Sequence, residues 1–454
     1  MSTWTNRVSV PVADWLAWSG LSGLPMTQLA ALAAVIMVGL LLMGFPMMVP
    51  LLVGALVLLL VGFSNLEPSI LIQQMIGGVE QSVLVAVPMF ILAADIMIKG
   101  HTADRLLELV SKFVGHLRGG VPITTAVSCT LFGAVSGSTQ ATVVAMGRPL
   151  KPRLQDAGYS ERFSIALIIN ASDIALLIPP SIGMIIYGVV SGTSVGDLFI
   201  AGIGPGVMIL ILFALYCLAL SVWKNIPVLP RANWTQRLQA LRRALPALGF
   251  PIIIIGGIYS GTFSPTEAAS ISVAYALVLE MLIYREVKVR DLPEIALSTG
   301  LITAVVFILV AAGMAFSWII SYAQIPDALL GDVIAMAADH PYRVLALIAV
   351  AYFVGCMFVD PIVVILVLTP IFAPAVAAAG LDPVHVGTIV VLQAAIGSAT
   401  PPFGCDIFTA VAIFRRPYLE VIRGTPPFVL ILLLSTALLI AFPQIALFLP
   451  ELMR

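Results

Sequence analysis

The sequence predicts an all-α polytopic membrane protein built from two structural repeats, and three observations support this fold class. Of the 454 residues 60% are hydrophobic and only 10% are charged, with a mean hydropathy of +1.10, whereas a soluble domain carries about 25% charged residues. Many apolar segments are long enough to cross a membrane, and the alternation of apolar and polar residues that is typical of strands is absent. A proline pair recurs in the two halves of the chain.

The apolar segments give the order of the predicted helices. A span needs roughly 20 apolar residues, and segment 27–62 is long enough for two short spans. The other continuous segments are 82–98, 198–222, 246–260, 264–284, 296–322, 343–376 and 426–449. Three further apolar segments, at 121–147, 163–190 and 384–414, are each interrupted by Gly, Ser or Pro.

The distribution of charge divides the chain near its middle. Between Asp197 and Glu267 there is no acidic residue, and the polar linker 223–245 carries a cluster of basic residues. The positive-inside rule places this linker in the cytoplasm, between a first half at 27–222 and a second half at 246–454. Glu267 itself follows Ser264 and a proline, a pattern that predicts the start of a helix.

Residues 1–26 and the cysteines exclude other classes of protein. Segment 1–26 lacks the charged and apolar regions of a cleavable signal peptide, and its three tryptophans predict an extension at the membrane interface, in contact with lipid, with a disordered tail as the alternative. The four cysteines lie singly in apolar segments, so neither a zinc site nor a disulfide framework is indicated. The net charge of −1 argues against nucleic acid as a partner.

The proline pair Pro179-Pro180 interrupts an apolar stretch in which an unbroken helix would satisfy every backbone group. It recurs as Pro401-Pro402, and an ungapped shift of 222 residues also aligns Gly133 with Gly355 and other Gly and Pro positions. Two halves with an interrupted helix at the same place are typical of a secondary transporter with its site at the repeat interface. We expect the repeats to be inverted, and the alternative is a chance pair of proline kinks.

Each half has a second irregular element about forty residues before its proline pair. In the first half, residues 133–140 interrupt an apolar run, which predicts a re-entrant hairpin at 121–150 followed by a broken helix at 161–192. The corresponding elements of the second half are a hairpin at 343–376 and a broken helix at 384–414.

Carbonyl, hydroxyl and carboxylate oxygens at these interruptions suit a hard monovalent cation such as sodium, and the adjoining helix N-termini suit a substrate carboxylate. The candidate sodium ligands, some of them through backbone carbonyls, are Ser136, Gly137, Ser138, Pro179, Gly355, Asp360, Thr400 and Pro401.

Polar side chains beside the interruptions are candidates for contact with the substrate. An acid inside the membrane is costly and usually functional, and Asp173 and Asp406 flank the two proline pairs. Either acid has the alternative of a structural ion pair or a solvated cavity, and interhelical hydrogen bonds are the alternative for the neutral residues. The candidates are Gln140, Asn170, Asp173, Ser181, Gln393 and Asp406.

Several stretches resemble one known family. GAVSGSTQATVVAMG, IPPSIGMIIYGVVSGTSVGDLFIAGIGPG, GGIYSGTFSPTEAAS, FVDPIVVILVLTPI, LDPVHVGTIVVL and ATPPFG are similar, in order and spacing, to the large membrane subunit (DctM-like) of tripartite ATP-independent periplasmic (TRAP) transporters. The resemblance runs from about residue 27 to the C-terminus.

This resemblance implies a sodium-driven importer of an organic acid in the bacterial inner membrane. It implies as partners a periplasmic binding protein that delivers the substrate and a small four-helix membrane subunit. It also implies an elevator mechanism, in which a transport domain of two hairpins and two broken helices moves against a scaffold. The family often has small residues where this chain has Asn170 and Asp173, and apolar ones at Cys405 and Asp406, so the particular acid is left open.

Other functions have weaker support in the sequence. A single-chain sodium–carboxylate symporter of related elevator fold, working without a binding protein, remains the alternative. The chain has no Gly-Lys dipeptide and therefore no Walker A loop, and the Ser136 site lacks the Gly-x-Ser-Gly pattern of rhomboid-like proteases. We therefore expect no enzymatic activity and no organic cofactor.

Overall fold

The computed structural model describes residues 24–63, 65–100 and 102–453, and their regular structure is entirely helical. The interfacial extension predicted for residues 1–26 lies outside the described residues, apart from its last three. The α-helices, numbered in chain order, are α1 (Met26–Leu42), α2 (Met48–Gly62), α3 (Ser69–Val79), α4 (Ala86–Lys99), α5 (Thr102–Val114), α6 (Gly120–Ser136), α7 (Thr139–Asp156), α8 (Glu161–Ser172), α9 (Ile182–Ser191), α10 (Val195–Trp223), α11 (Trp234–Tyr259), α12 (Pro265–Leu277), α13 (Leu292–Tyr322), α14 (Ile325–Ala335), α15 (Pro341–Phe358), α16 (Pro361–Ala378), α17 (Pro383–Ser398), α18 (Cys405–Phe414), α19 (Tyr418–Ile422), α20 (Pro426–Ala441) and α21 (Gln444–Met453).

Seven helices in the described part of the chain are long and apolar enough to cross a membrane, and an eighth span results if the bent pair α20–α21 is counted as one. The two longest candidates are Val195–Trp223 and Val289–Tyr322, each with a mean hydropathy of 2.5 over its best window. These helices confirm the predicted all-α polytopic membrane fold.

Local sequence signals set several of the helix ends. Ser264 caps α12 by accepting a hydrogen bond from the Glu267 amide, and Glu267 Oε2 in turn accepts from the Ser264 amide at 2.8 Å. This reciprocal arrangement satisfies two amides that the first turn of a helix leaves without partners. It confirms the helix start predicted from Ser264, Pro265 and Glu267.

The two halves share their pattern of helices and breaks. Moved by the 222-residue offset, α7 falls on residues 361–378, which are the bounds of α16, and the break between α6 and α7 falls on the break between α15 and α16. The break that precedes α9 falls on the one that precedes α18. The structure therefore confirms two structural repeats.

The described residues form two compact units, and each unit contains parts of both halves of the chain. One comprises the described residues up to Gln81 together with Val305–Val344 and Leu366–Gly380. In it α1 packs against α2, and the Phe63 ring lies edge-on to Tyr322 at 5.0 Å between centroids. The other comprises Ser82–Ala304, Leu345–Ile365 and the described residues from Leu381 onward, and it contains every candidate site residue.

Helices of the two repeats share one core in this second unit, which we call the site unit. α6 packs against α5, α7, α8 and α10, while α17 packs against α9, α10 and α20. One cluster of fully buried residues joins the first repeat to the second, and its members are Val143, Ile165, Ile169, Ala399, Ile407, Ala410 and Val421. This shared packing brings the interruptions of both repeats into one unit.

Candidate functional site

The tip of the first hairpin is the two-residue break between α6 and α7. Gly137 has a φ of +62°, and Ser138 is extended and caps α7 by accepting from the Ala141 amide at 3.4 Å. Thr142 donates its hydroxyl hydrogen to the Ser138 carbonyl at 2.8 Å and shares a 2.9 Å hydrogen bond with the Ser136 hydroxyl. The predicted interruption at 133–140 is therefore a tight turn lined by hydroxyl and carbonyl oxygens.

This tip lies directly against the first proline pair. A Cβ atom added to Gly137 would overlap the carbonyl oxygen of Pro180. The left-handed φ and this close approach both require glycine at position 137. Two of the predicted elements, the first hairpin and the first broken helix, therefore meet at one point.

The first broken helix unwinds over nine residues. α8 ends at Ser172, Asp173–Leu176 form a single 3-10 turn, and α9 begins only at Ile182. The Pro179–Pro180 peptide bond is cis. Ser181 caps α9, because its hydroxyl oxygen accepts from the Met184 amide at 3.3 Å.

The second hairpin turns at Val359 and Asp360, between α15 and α16. The Asp360 carboxylate accepts from the Ile362 amide at 2.9 Å, so this acid acts as a cap for α16. The Gly355 carbonyl, another predicted ligand, accepts from the Val359 amide at 3.0 Å.

The second broken helix interrupts the chain between Ser398 and Cys405, and its Pro401–Pro402 peptide bond is also cis. Thr400 donates its hydroxyl hydrogen to the Ile396 carbonyl at 2.6 Å. The Phe403 amide donates to the Met357 carbonyl at 3.0 Å, which joins this break to the end of α15 beside the second hairpin. Each proline pair therefore lies against the hairpin of its own repeat.

The two repeats meet at Asp406, in the first turn of α18. Its Oδ1 atom accepts a hydrogen bond from the hydroxyl of Thr139, the first residue of α7, at 2.8 Å. The carboxyl group of Asp173 lies close enough to the same acid for the two groups to interact electrostatically. Asp173 and Asp406 are almost fully buried, with exposed fractions of 1% and 0%. The structure therefore brings these two predicted acids together.

Acceptor oxygens outnumber donors around this pair of acids. Both carboxylate oxygens of Asp173, Oδ2 of Asp406 and Oδ1 of Asn170 have no hydrogen-bond donor among the described residues. Asn170 precedes Asp173 by one helical turn and uses its Nδ2 atom to donate to the Ala166 carbonyl at 2.8 Å. A group of buried acceptors without donors is suited to binding a cation or a ligand with N–H groups.

Two other predicted substrate contacts have different surroundings. Gln393 is buried, but its Nε2 atom donates to the Thr436 hydroxyl at 2.6 Å, which ties α17 to α20. Gln140, which follows Thr139, is exposed. Gln393 therefore forms an interhelical hydrogen bond, which was the alternative to a substrate contact for this residue.

Sequence reasoning missed Thr139 and Thr142 as parts of the site. Both lie in the first turn of α7, one and four positions after the predicted ligand Ser138, and both use their hydroxyl groups to fix the hairpin tip or Asp406. Their closeness to Ser138 in the sequence could have marked both threonines as site candidates. The contact of Thr139 with Asp406, a residue of the other repeat, could not be predicted from the sequence.

Comparison with known proteins identifies a matching family of transporters and relatives that are named as its members. Residues 34–445 match the family described as tripartite ATP-independent periplasmic transporter, DctM component. The chain is 63% identical to the ectoine TRAP transporter large permease protein of Halomonas elongata, over 92% of this chain and 97% of the relative. It is 61% identical to the ectoine/5-hydroxyectoine TRAP transporter large permease protein of Ruegeria pomeroyi, over 93% and 99%.

More distant relatives carry other names. The C4-dicarboxylate TRAP transporter large permease protein of Pseudomonas aeruginosa is 34% identical over 82% of this chain and 87% of the relative. Among solved structures, the YdaH transporter of Alcanivorax borkumensis is similar with a TM-score of 0.62 and 16% identity, over 85% of this chain and 90% of that one. At this identity the similarity concerns the fold alone.

Proposed function

The chain belongs to the TRAP transporter family as a DctM-type large permease subunit, and from this premise we propose that it imports ectoine-type solutes together with sodium. Membership makes it a multi-pass protein of the inner membrane and a transporter subunit rather than an enzyme. The tripartite system includes a periplasmic binding protein. The substrate, the coupling ion and the small four-helix subunit as a further partner are parts of the proposal.

The proposed substrate rests on a difference in sequence identity between two groups of relatives. The two relatives named for ectoine are 63% and 61% identical to this chain, whereas those named for C4-dicarboxylates or sialic acid are 34% identical or less. Ectoine is a small zwitterion with one carboxylate and a cationic amidine ring. It therefore lies within the carboxylate class that the sequence predicts, but it carries no net charge.

The geometry of the site unit supports transport coupled to a cation. Two hairpins and two broken helices place unwound backbone and hydroxyl oxygens beside buried acids, an arrangement typical of secondary transporters. Helix N-termini at α7, α9 and α18 supply positive dipole ends that favour a substrate carboxylate. The proposed sodium ligands remain the hydroxyl, carbonyl and carboxylate oxygens of the two hairpin tips and the two breaks.

We propose that sodium and substrate bind together and that the site unit then crosses the membrane in an elevator movement. Sodium makes the movement sensitive to the membrane potential, because about 100 mV contributes roughly 2.3 kcal/mol for each charge moved. The binding protein supplies the substrate on the periplasmic side.

The test is uptake of radiolabelled ectoine by cells that lack other ectoine carriers and express this chain with its small subunit and binding protein. We expect uptake to require sodium and to be insensitive to an excess of C4-dicarboxylate or sialic acid. Uptake that continues without the binding protein would instead identify a single-chain symporter. Uptake that is equal in sodium and in choline would overturn the proposed coupling.

A further inference from the structure

Asp173 and Asp406 come from different repeats, yet their carboxyl groups lie together in the core of the site unit. In the described residues no Lys, Arg or His forms an ion pair with either acid, or with Asp360, which adds further negative charge near Asp406. Leaving a buried charge without compensation is strongly destabilising. The pair therefore needs a positive partner that the described side chains do not supply.

The helix ends around the pair act differently on the two acids. Asp406 lies in the first turn of α18 and bonds to the first residue of α7, so the positive ends of two helix dipoles favour its ionised form. Asp173 lies at the C-terminal end of α8, where the negative dipole end disfavours a carboxylate and attracts a cation. The positive partner is therefore expected on the Asp173 side of the pair.

The number of acceptors distinguishes a metal ion from a proton. A proton shared between the acids would provide one donor, whereas both oxygens of Asp173, Oδ2 of Asp406 and Oδ1 of Asn170 are without donors. A hard cation contacts several such oxygens at once. The exposed fractions of 0–1% show that protein encloses these three residues, which suits a monatomic ion rather than an organic group.

We propose that Asp173, Asp406 and Asn170 form an enclosed sodium site at the junction of the two repeats. The site rests on the sodium coupling of the proposed function and adds a cation site separate from the hairpin-tip oxygens. A sodium ion bound there would link the end of α8 to the start of α18. Through the Thr139–Asp406 hydrogen bond it would also link both to the first hairpin, so that ion binding holds the two repeats together.

The experiment measures thermal unfolding of the purified full-length chain while sodium chloride replaces choline chloride at constant ionic strength. A ligand that binds only the folded state stabilises it by RT ln(1 + [L]/Kd), so the unfolding temperature rises with the logarithm of the ligand concentration once this exceeds Kd. We expect the unfolding temperature of the natural chain to rise with sodium concentration in this way. In Asp173→Asn and Asp406→Asn we expect the sodium concentration needed for the same rise to increase about tenfold or more, equivalent to about 1.4 kcal/mol.

The matched control is Asp95→Asn. Asp95 is a half-buried acid of the same unit that also accepts from a threonine hydroxyl, that of Thr299, at 2.8 Å, but its oxygens are not left without donors. This variant should respond to sodium as the natural chain does. In choline, Asp173→Asn should be at least as stable as the natural chain, because the new amide supplies a donor to Asp406.

A second measurement keeps the proposal testable if an acid variant does not fold. Asn170→Ala leaves both acids in place and should weaken the binding of radioactive sodium, and Asp173→Asn should remove one bound ion per chain. The proposal is overturned by an unchanged sodium response in the acid variants, by no response in the natural chain, or by a response to pH alone. Loss of ectoine uptake with the sodium response intact would contradict the proposed function and leave this site standing.

Discussion

Thr139 donates its hydroxyl hydrogen to the carboxylate of Asp406 at 2.8 Å, although 267 positions separate the two residues in the chain. Thr139 is the first residue after the tip of the first hairpin, and Asp406 lies in the first turn after the second break. Both groups are buried. One hydrogen bond therefore connects the hairpin of one repeat to the broken helix of the other.

Removing this hydrogen bond is expected to destabilise the folded chain. In Thr139→Val the Asp406 Oδ1 atom loses its donor, and a buried polar atom without a partner costs about 1–3 kcal/mol. The measurement is thermal unfolding in detergent, with Thr139→Ser as the control because serine keeps the hydroxyl. Equal stability of the valine variant and the natural chain would show that the bond contributes nothing.

Substituting Gly137 is expected to disrupt the contact between the first hairpin and the first break. In Gly137→Ala the new Cβ atom would overlap the Pro180 carbonyl and would also stand at a φ of +62°. The matched control is Gly192→Ala, which has a φ of +71° but no atom within 4 Å of the new Cβ. Both variants incur the backbone cost of about 1 kcal/mol, so a greater loss of stability and uptake in Gly137→Ala measures the contact itself.

The second proline pair is expected to be required for transport. Replacing Pro401 and Pro402 with alanine restores two backbone donors and removes the clash with the preceding turn, so a more regular helix becomes possible across residues 399–404. We expect ectoine uptake to be abolished while the amount of protein in the membrane is unchanged. Normal uptake by this double variant would contradict the role proposed for the break.

Gln393 is expected to contribute to packing rather than to substrate affinity, because its amide already donates to Thr436 in α20. Gln393→Met keeps a similar volume but leaves the Thr436 hydroxyl without that donor, and we expect a loss of stability of about 1 kcal/mol. The KM for uptake should change by less than about twofold. A larger increase in KM with unchanged stability would restore Gln393 as a substrate contact.

Local features of the fold could be predicted because they depend on neighbouring residues. The sequence predicted helix breaks at both proline pairs and at residue 137, and a helix start at Ser264. The structure has each of these features at the predicted residues. Proline removes a donor, glycine permits a left-handed φ, and serine caps a helix whatever surrounds them. The 222-residue repeat was visible for the same reason.

Contacts between distant segments could not be predicted in this way. Nothing local shows that Asp406 meets Thr139 and Asp173, or that Gln393 bonds to α20 rather than to a ligand.

The sequence alone therefore determined that this protein is a helical membrane protein with two interrupted repeats, because apolar length and backbone-breaking residues act locally, and its motifs identified the transporter family by resemblance. Only the tertiary structure decided which polar groups share a site. The packing of α7 against α8 and α18 places Thr139, Asp173 and Asp406 together, and packing depends on side chains from the whole chain rather than on any one segment.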